Sequence, residues 1–429
     1  LERKMDSMRK LFIFILCLGL LLTAVPALAQ SAGNLNNGAF IDADGNDLFF
    51  ATKDGITRLQ ADGTSAQIST DRASMLQFVG GRLYYIAENW GADEYGDQRK
   101  LGETPVSCLP DGSDRRVLGE ERKVGEVYDF GDDDSTRNID MLIGYRCFTV
   151  TPDTIYFLGN TNESGSYTCC GTFENEDGQE EKTEVAGRYQ NGIALFRMDV
   201  DGQNLRTLTG VVGNDCAQLA LDENRLYLAT GYQDTVYAYD YVNYTILDTD
   251  GNVLSTFDRS EPERENLYSD VGKFYHISNA VLPFGDSMLV SLADSEGDFI
   301  ATRLTRVDAD GTETQLALEQ YYTPSILTGT TLYYVGSSNQ TNFYDDSPEY
   351  LASLGIYRKD LNETGLGVRL VALPNTSFLN DFSMCVLGDY VYYRGTTGDV
   401  YRTPVTGGES FVYTENGFVN AASVGKTIG

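Results

Sequence analysis

"GRLYYIAENW" occupies residues 81–90, "TTLYYVGSSN" residues 330–339 and "DYVYYRGTTG" residues 389–398. Paler versions of the same apolar-aromatic phrase lie between them: "DLFFA" at Leu48, "TIYFL" at Ile155, "RLYLA" at Leu226 and "MLVSL" at Leu289. With Leu83, Leu332 and Val391 these give seven anchors. Each is rich in β-formers and too short for a helix.

A second phrase follows each anchor: a short strand, an acidic-glycine turn, then another strand. It reads "ITRLQADGTSAQI" at 56–68, "VSCLPDGSDRRVL" at 106–118, "LFRMDVDGQNLRTL" at 195–208, "YTILDTDGNVLSTF" at 244–257 and "LTRVDADGTETQL" at 304–316. The copy at 356–370 loosens the turn, and the copy at 400–413 has Gly-Gly in place of Asp-Gly. Asp-Gly between alternating strands signals a hairpin, because glycine supplies the positive φ the turn needs. A third strand precedes each anchor, as in "SMLQFV" before Leu83, "CAQLAL" before Leu226 and "SMCVL" before Val391.

Each unit is therefore strand a, tight turn, strand b, variable loop, strand c, Asp-Gly turn, strand d. Four antiparallel strands repeated along the chain, with little helical pattern, predict an all-β fold: a β-propeller of about seven blades, with six and eight as the alternatives. Alternate residues of strand b are expected to pack between neighbouring blade faces. Anchor spacings of 35, 72, 71, 63, 43 and 59 residues place large insertions in the loops. The tail "FVNAASVGKTIG" resembles one more strand a, which would close the ring or begin a further blade.

The habit "gd-IYY … LYR-x-x-DG" is carried by residues 389–393 with 400–402, by 83–85, by 195–202 and by 356–358. In it the chain resembles, over nearly its whole length, a bacterial family of unknown function whose β-propeller is similar to that of low-density lipoprotein receptor-related proteins. The resemblance implies the fold and an exported setting, and no activity. The receptor-type Tyr-Trp-Thr-Asp signature is absent, and the only tryptophan, Trp90, lies outside the anchors.

The segment "MRKLFIFILCLGLLLTAVPALAQ" has basic residues, an apolar run and a small-residue site at Ala27-Leu28-Ala29. This predicts a signal peptide over 1–29 and one propeller domain over 30–429. The expected setting is secreted, extracellular or attached to the cell envelope. No later segment is apolar enough to span a bilayer, so stable membrane insertion is not expected after leader removal. The leader holds four of the 32 basic and two of the 63 acidic residues, which leaves 28 against 61, a net charge of −33. Such a surface repels nucleic-acid backbones and anionic membranes, so neither is an expected partner; it favours solubility and attracts cations.

Hairpin alternation puts the b–c loops and d–a crossovers on one face of the disc. The large insertions at 88–105, 119–140, 160–192, 258–275 and 337–355 all fall there. Their aromatic residues Trp90, Tyr95, Tyr167, Phe173, Tyr189, Phe343 and Tyr344 are the candidate binding residues. Long loops on a rigid scaffold commonly carry function.

The chemistry-bearing residues are sparse. The Asp-Gly turns lack the glycine and glutamate spacing of a calcium loop and read as hairpins. Asp132, Asp133 and Asp134 are the one candidate for weak Ca²⁺ binding; no other cofactor is expected. His276 is the only histidine, which excludes a His-rich zinc site. Cys108, Cys147, Cys169, Cys170, Cys216 and Cys385 remain after the leader, an even number that permits disulfides in an exported protein. Carboxylates are too numerous to single out a glycosidase-like pair. Three functions follow: capture of a protein, peptide or glycan without chemistry, a carbohydrate-active enzyme using acidic loop residues, or a structural module of a surface assembly.

Overall fold

The computed structural model describes residues 34–35, 38–92, 96–130, 137–174, 180–189, 191–213, 217–222, 224–233, 240–259, 271–275, 282–296, 299–308, 310–318, 320–338, 348–379 and 382–424. Seven sheets, each with an antiparallel four-stranded blade, follow one another along the chain, and the fold is a seven-bladed β-propeller. Among the described residues the helical elements are short, such as Pro348–Ser353 and the 3₁₀ turn Thr376–Leu379.

All seven anchors form strand b of a blade: Leu48–Thr52, Arg82–Ala92, Thr154–Asn160, Arg225–Gln233, Ser287–Glu296, Thr331–Ser337 and Tyr390–Arg394. Their alternation has the expected consequence. Leu83 and Tyr85 enter the apolar cluster shared with blade one, whereas Tyr84 and Ile86 enter the cluster shared with blade three. The same split separates Ile155 and Phe157 from Tyr156 and Leu158. The core is thus a ring of inter-blade layers. Each buried anchor side chain contributes about 1.5–3 kcal/mol by leaving water.

The Asp-Gly phrase forms the c–d turn. In blade three, Gly202 N–H donates to the Asp199 carbonyl (2.8 Å) and Asp199 N–H donates to the Gln203 carbonyl (2.9 Å). Asp201 accepts from Gln203 N–H at 3.0 Å. This is a type I turn closed by a glycine bulge, with φ +85° at Gly202. The glycine serves a second purpose. A Cβ on Gly202 would overlap the Leu118 carbonyl of blade two, and one on Gly112 would overlap the Ile68 carbonyl of blade one. Gly251 stands 2.9 Å from the Leu208 carbonyl by the same measure. These three turns therefore dock against the outer edge of the preceding blade, whereas a Cβ on Gly365 in the blade-six turn would meet nothing within 4 Å.

Arginines of strand c complete the joint from the other side. Arg197 of blade three donates to the Thr249 carbonyl (3.4 Å) and the Asp250 carboxylate (2.8 Å) in the turn of blade four. Arg358 of blade six donates to the Val405 carbonyl of blade seven at 3.1 Å. Arg58 of blade one reaches the Pro110 carbonyl of blade two at 3.5 Å.

The inner strands are joined at the hub. Asp42 of blade one accepts from Phe78 N–H of blade two at 2.6 Å. Gln77 of blade two donates to the Phe148 carbonyl (2.7 Å) and accepts from Val150 N–H (2.8 Å) of blade three. The Cys147 sulfur of blade three accepts from Leu219 N–H of blade four at 3.4 Å.

Blades seven and one close the ring without exchanging a strand. Blade one is built entirely from Ile41–Ala43, Leu48–Thr52, Gly55–Leu59 and Ser65–Ser69. The tail is neither a closing strand nor the start of another blade: Gly417–Asn420 turns back and pairs with strand d of blade seven, Phe411–Thr414, as a fifth, outer strand. Side chains make the closure. Asn34 exchanges two 2.8 Å hydrogen bonds with the Val386 backbone, Arg394 donates to the Ala51 carbonyl at 3.2 Å, and Phe50 packs on Tyr413 and Phe418. The turn docking is missing at this seam, since a Cβ on Gly63 would meet nothing within 4 Å. Arg402, the counterpart of Arg58 and Arg197, is boxed by Tyr390, Phe411 and Phe418, and its Nε has no hydrogen-bond partner among the described residues.

Candidate functional site

The insertions of blades two and three do not hang as separate loops. Strand b of blade two runs on to Ala92 and pairs with an equally long strand c, Gln98–Cys108. The crossover forms strands Arg122–Phe130 and Arg137–Ile143, and the insertion of blade three forms the hairpin Gly165–Glu174 and Glu180–Tyr189. All four added strands join blade two, giving one eight-stranded sheet. This corrects the reading of 119–140 and 160–192 as loops. The connection is a short ladder, Gly102 with Lys123 and Glu103 with Arg122. A parallel pairing of Arg137 with Gly187 through Ile139 with Tyr189 attaches the hairpin.

The base of this annex is locked to blade three. Arg122 lies 4.6 Å from the Phe196 ring, 5.2 Å from Tyr145 and 5.3 Å from Phe157, and donates to the Asn160 carbonyl at 2.7 Å. Glu103, buried, accepts from Tyr145 N–H at 2.7 Å and from Lys100. Burial pushes the Glu103 carboxyl above its ordinary range despite the Lys100 charge beside it. For Lys100 burial works against the charge, but Glu103 and Glu88 outweigh it and the pKa is raised.

Register places Tyr167, Phe173, Val185 and Tyr189 on one face with Tyr128, Phe130, Ile139 and Met141 of the crossover strands, and with the charged residues Glu126, Arg137 and Glu181 among them. The opposite face carries Thr168, Thr172, Glu174, Glu180, Lys182, Glu184 and Arg188 with Asn138 and Asp140. Three of the sequence-selected aromatics, Tyr167, Phe173 and Tyr189, are thereby gathered on one surface. The crossover aromatics Tyr128 and Phe130 escaped sequence selection. Their signal was the alternation in "VYDF" and "NIDML", masked by the acidic run between them.

Trp90 pairs with Lys100 next to a bulge in strand c, where Leu101 is the extra residue. Its indole N–H donates to Glu88 at 3.0 Å, and the Arg72 guanidinium lies over its ring at 5.0 Å. The residue is 39% exposed. Lys100 ties Glu88 to Glu103, so Trp90 lies on the side of the sheet that Glu103 and Arg122 occupy.

Tyr95, Phe343, Tyr344, Asp132, Asp133, Asp134, Cys216 and His276 lie outside the described residues. Cys169 and Cys170 are adjacent in the annex hairpin, opposite Val185 and Glu184, and alternation sends them to opposite faces. Cys108, Cys147 and Cys385 are buried free thiols. They sit within strands, where a thiol packs as a small apolar group. Burial pushes Cys147 up to about 11 and Cys385 up to about 12. Among the described residues no group of metal-ligating side chains is assembled.

No family model matches the chain, and no curated protein does. Some solved structures resemble it at low identity. The β-propeller domain of the Trilobed protease from Pyrococcus furiosus, described as an open velcro topology, is 12% identical with a TM-score of 0.37, over 79% of this chain and 92% of that one. Pyrococcus horikoshii acylaminoacyl peptidase is 10% identical with a TM-score of 0.36, over 83% of this chain and 53% of that one. A mutant Trypanosoma rangeli sialidase is 10% identical with a TM-score of 0.32, over 82% and 55%. The chain thus spans about half the length of the peptidase and the sialidase.

Proposed function

We propose that this protein is an exported binding module that captures a partner on the annex sheet and performs no chemistry on it. The observation that carries this reading is the register of the annex, which aligns Tyr167, Phe173 and Tyr189 with Tyr128, Phe130 and Ile139 on one face. Flat aromatic side chains supply contact area at low conformational cost and are enriched in binding surfaces. The partner is a protein or peptide, the class that an aromatic sheet face suits best. The leader expected over 1–29 from its basic, apolar and small-residue segments supports the exported setting.

Replacing residues 166–188 by a short Gly-Ser link tests the reading. The shortened protein should keep the melting temperature of its disc and lose the partner it captures from the producing cell's envelope, identified by mass spectrometry. Retention of that partner, with the disc intact, would rule the annex out as the capture surface.

A further inference from the structure

The Trp90 corner of the annex joins an exposed indole to a carboxylate and a guanidinium. Trp90 is the chain's only tryptophan, it stays 39% exposed, and both its edge and its ring are already fixed. Glu88 holds the indole N–H at 3.0 Å, so the ring cannot swing freely. Arg72, an exposed residue anchored by its own bond to the Lys53 carbonyl at 3.1 Å, places a guanidinium 5.0 Å from the ring centre. The ring therefore already accepts a cation in this structure. Indole is the strongest cation-accepting ring among the side chains, and a nearby carboxylate adds to the attraction. The whole chain carries a net charge of −31, which concentrates cations at its surface.

We infer that Trp90 and Glu88 form a subsite for the guanidinium or ammonium group of a basic peptide segment. The incoming cation stacks on the exposed part of the ring beside Arg72 and shares the Glu88 carboxylate with Lys100, which lies 3.5 Å from it. This rests on the annex being the capture surface and adds the chemistry of the partner: Lys- or Arg-containing and extended.

The test uses a fluorescein-labelled (Arg-Ala)₄ peptide, read by anisotropy at fixed ionic strength, with the intrinsic emission of Trp90 as a second reporter. Trp90→Leu changes no charge, yet affinity should fall at least tenfold. Trp90→Phe should lose less, and Arg72→Ala should bind at least as tightly as the parent. Equal binding by Trp90→Leu, with its melting temperature unchanged, would show that only the diffuse field attracts the peptide and would overturn the inference. So would a shift of Trp90 emission by cellohexaose with none by the peptide. Should Trp90→Leu still capture the envelope partner that the 166–188 replacement loses, this subsite is wrong and the annex reading stands.

Discussion

Asp42 is a buried carboxyl whose two acceptor bonds, from Ala43 and Phe78 N–H, do not offset its desolvation. Burial raises its pKa from 3.8 to about 7. The folded state therefore holds a proton that the unfolded chain gives up. Its contribution to stability is complete below about pH 4 and is lost as pH rises through about 7, with a limiting slope of about 1.4 kcal/mol per pH unit. Asp42→Asn should flatten that part of the profile. Urea melts of both proteins between pH 5 and 8 measure it, and parallel profiles would show that Asp42 does not titrate in this window. The turn glycines make a second residue-scale contrast. Gly63→Ala pays only the cost of positive φ, about 1 kcal/mol. Gly202→Ala must also push the Leu118 backbone away, so it should cost about 2 kcal/mol more. Chemical denaturation of the pair separates the two terms. The turn itself was legible from Asp-Gly; the docking was not, because nothing in a local phrase says which strand will lie 2–4 Å from its glycine.

At the scale of elements, the annex depends on the lock at its base. Arg122 gains from three rings and one carbonyl, and its removal leaves an aromatic pocket without its cation. Arg122→Ala should destabilise by about 2–3 kcal/mol. It should also raise amide exchange in strands Arg122–Phe130 and Arg137–Ile143 more than in blades five to seven; uniform exchange would show that the lock is not local. Arg122→Lys should rescue only part, since an ammonium cannot stack as a planar guanidinium does. Seven strands b, their c and d partners and the face bearing the insertions were readable from repeats. The annex was not, although "SYTCCGTF" and "KTEVAGRY" are strand-like. Pairing between insertions of different blades joins residues far apart in sequence, and no repeat marks it. The Arg of "LYR" was likewise noted as part of a phrase without its role as a bridge to the next blade's turn.

At the scale of the whole molecule, the joints are unequal. Among the described residues, three of the inter-blade joints have an arginine bridge into the next turn, whereas the seam between blades seven and one is held by Asn34, Arg394 and the Phe50 stack. Asn34→Ala removes two buried bonds and leaves the Val386 N–H and carbonyl unpaired, a loss of about 2–3 kcal/mol. Exchange in Ile41–Ala43 and Ser383–Leu387 should accelerate first, ahead of the hub strands of blades two and three. Simultaneous loss of protection around the ring would show instead that the disc opens as one cooperative unit.

Because the ring is closed without a shared strand, each wedge is finished when its own stretch of chain has left the ribosome, except blade two, whose sheet waits for the hairpin Gly165–Glu174 and Glu180–Tyr189 of the blade-three insertion. Assembly can proceed vectorially, one sector after the next, with a single long-range step at the end, when Asn34 meets Val386 across 352 positions of sequence. That step alone bears the entropy of joining distant ends. A nascent chain stalled before residue 383 should hold its earlier sectors folded and merely leave the circle ajar.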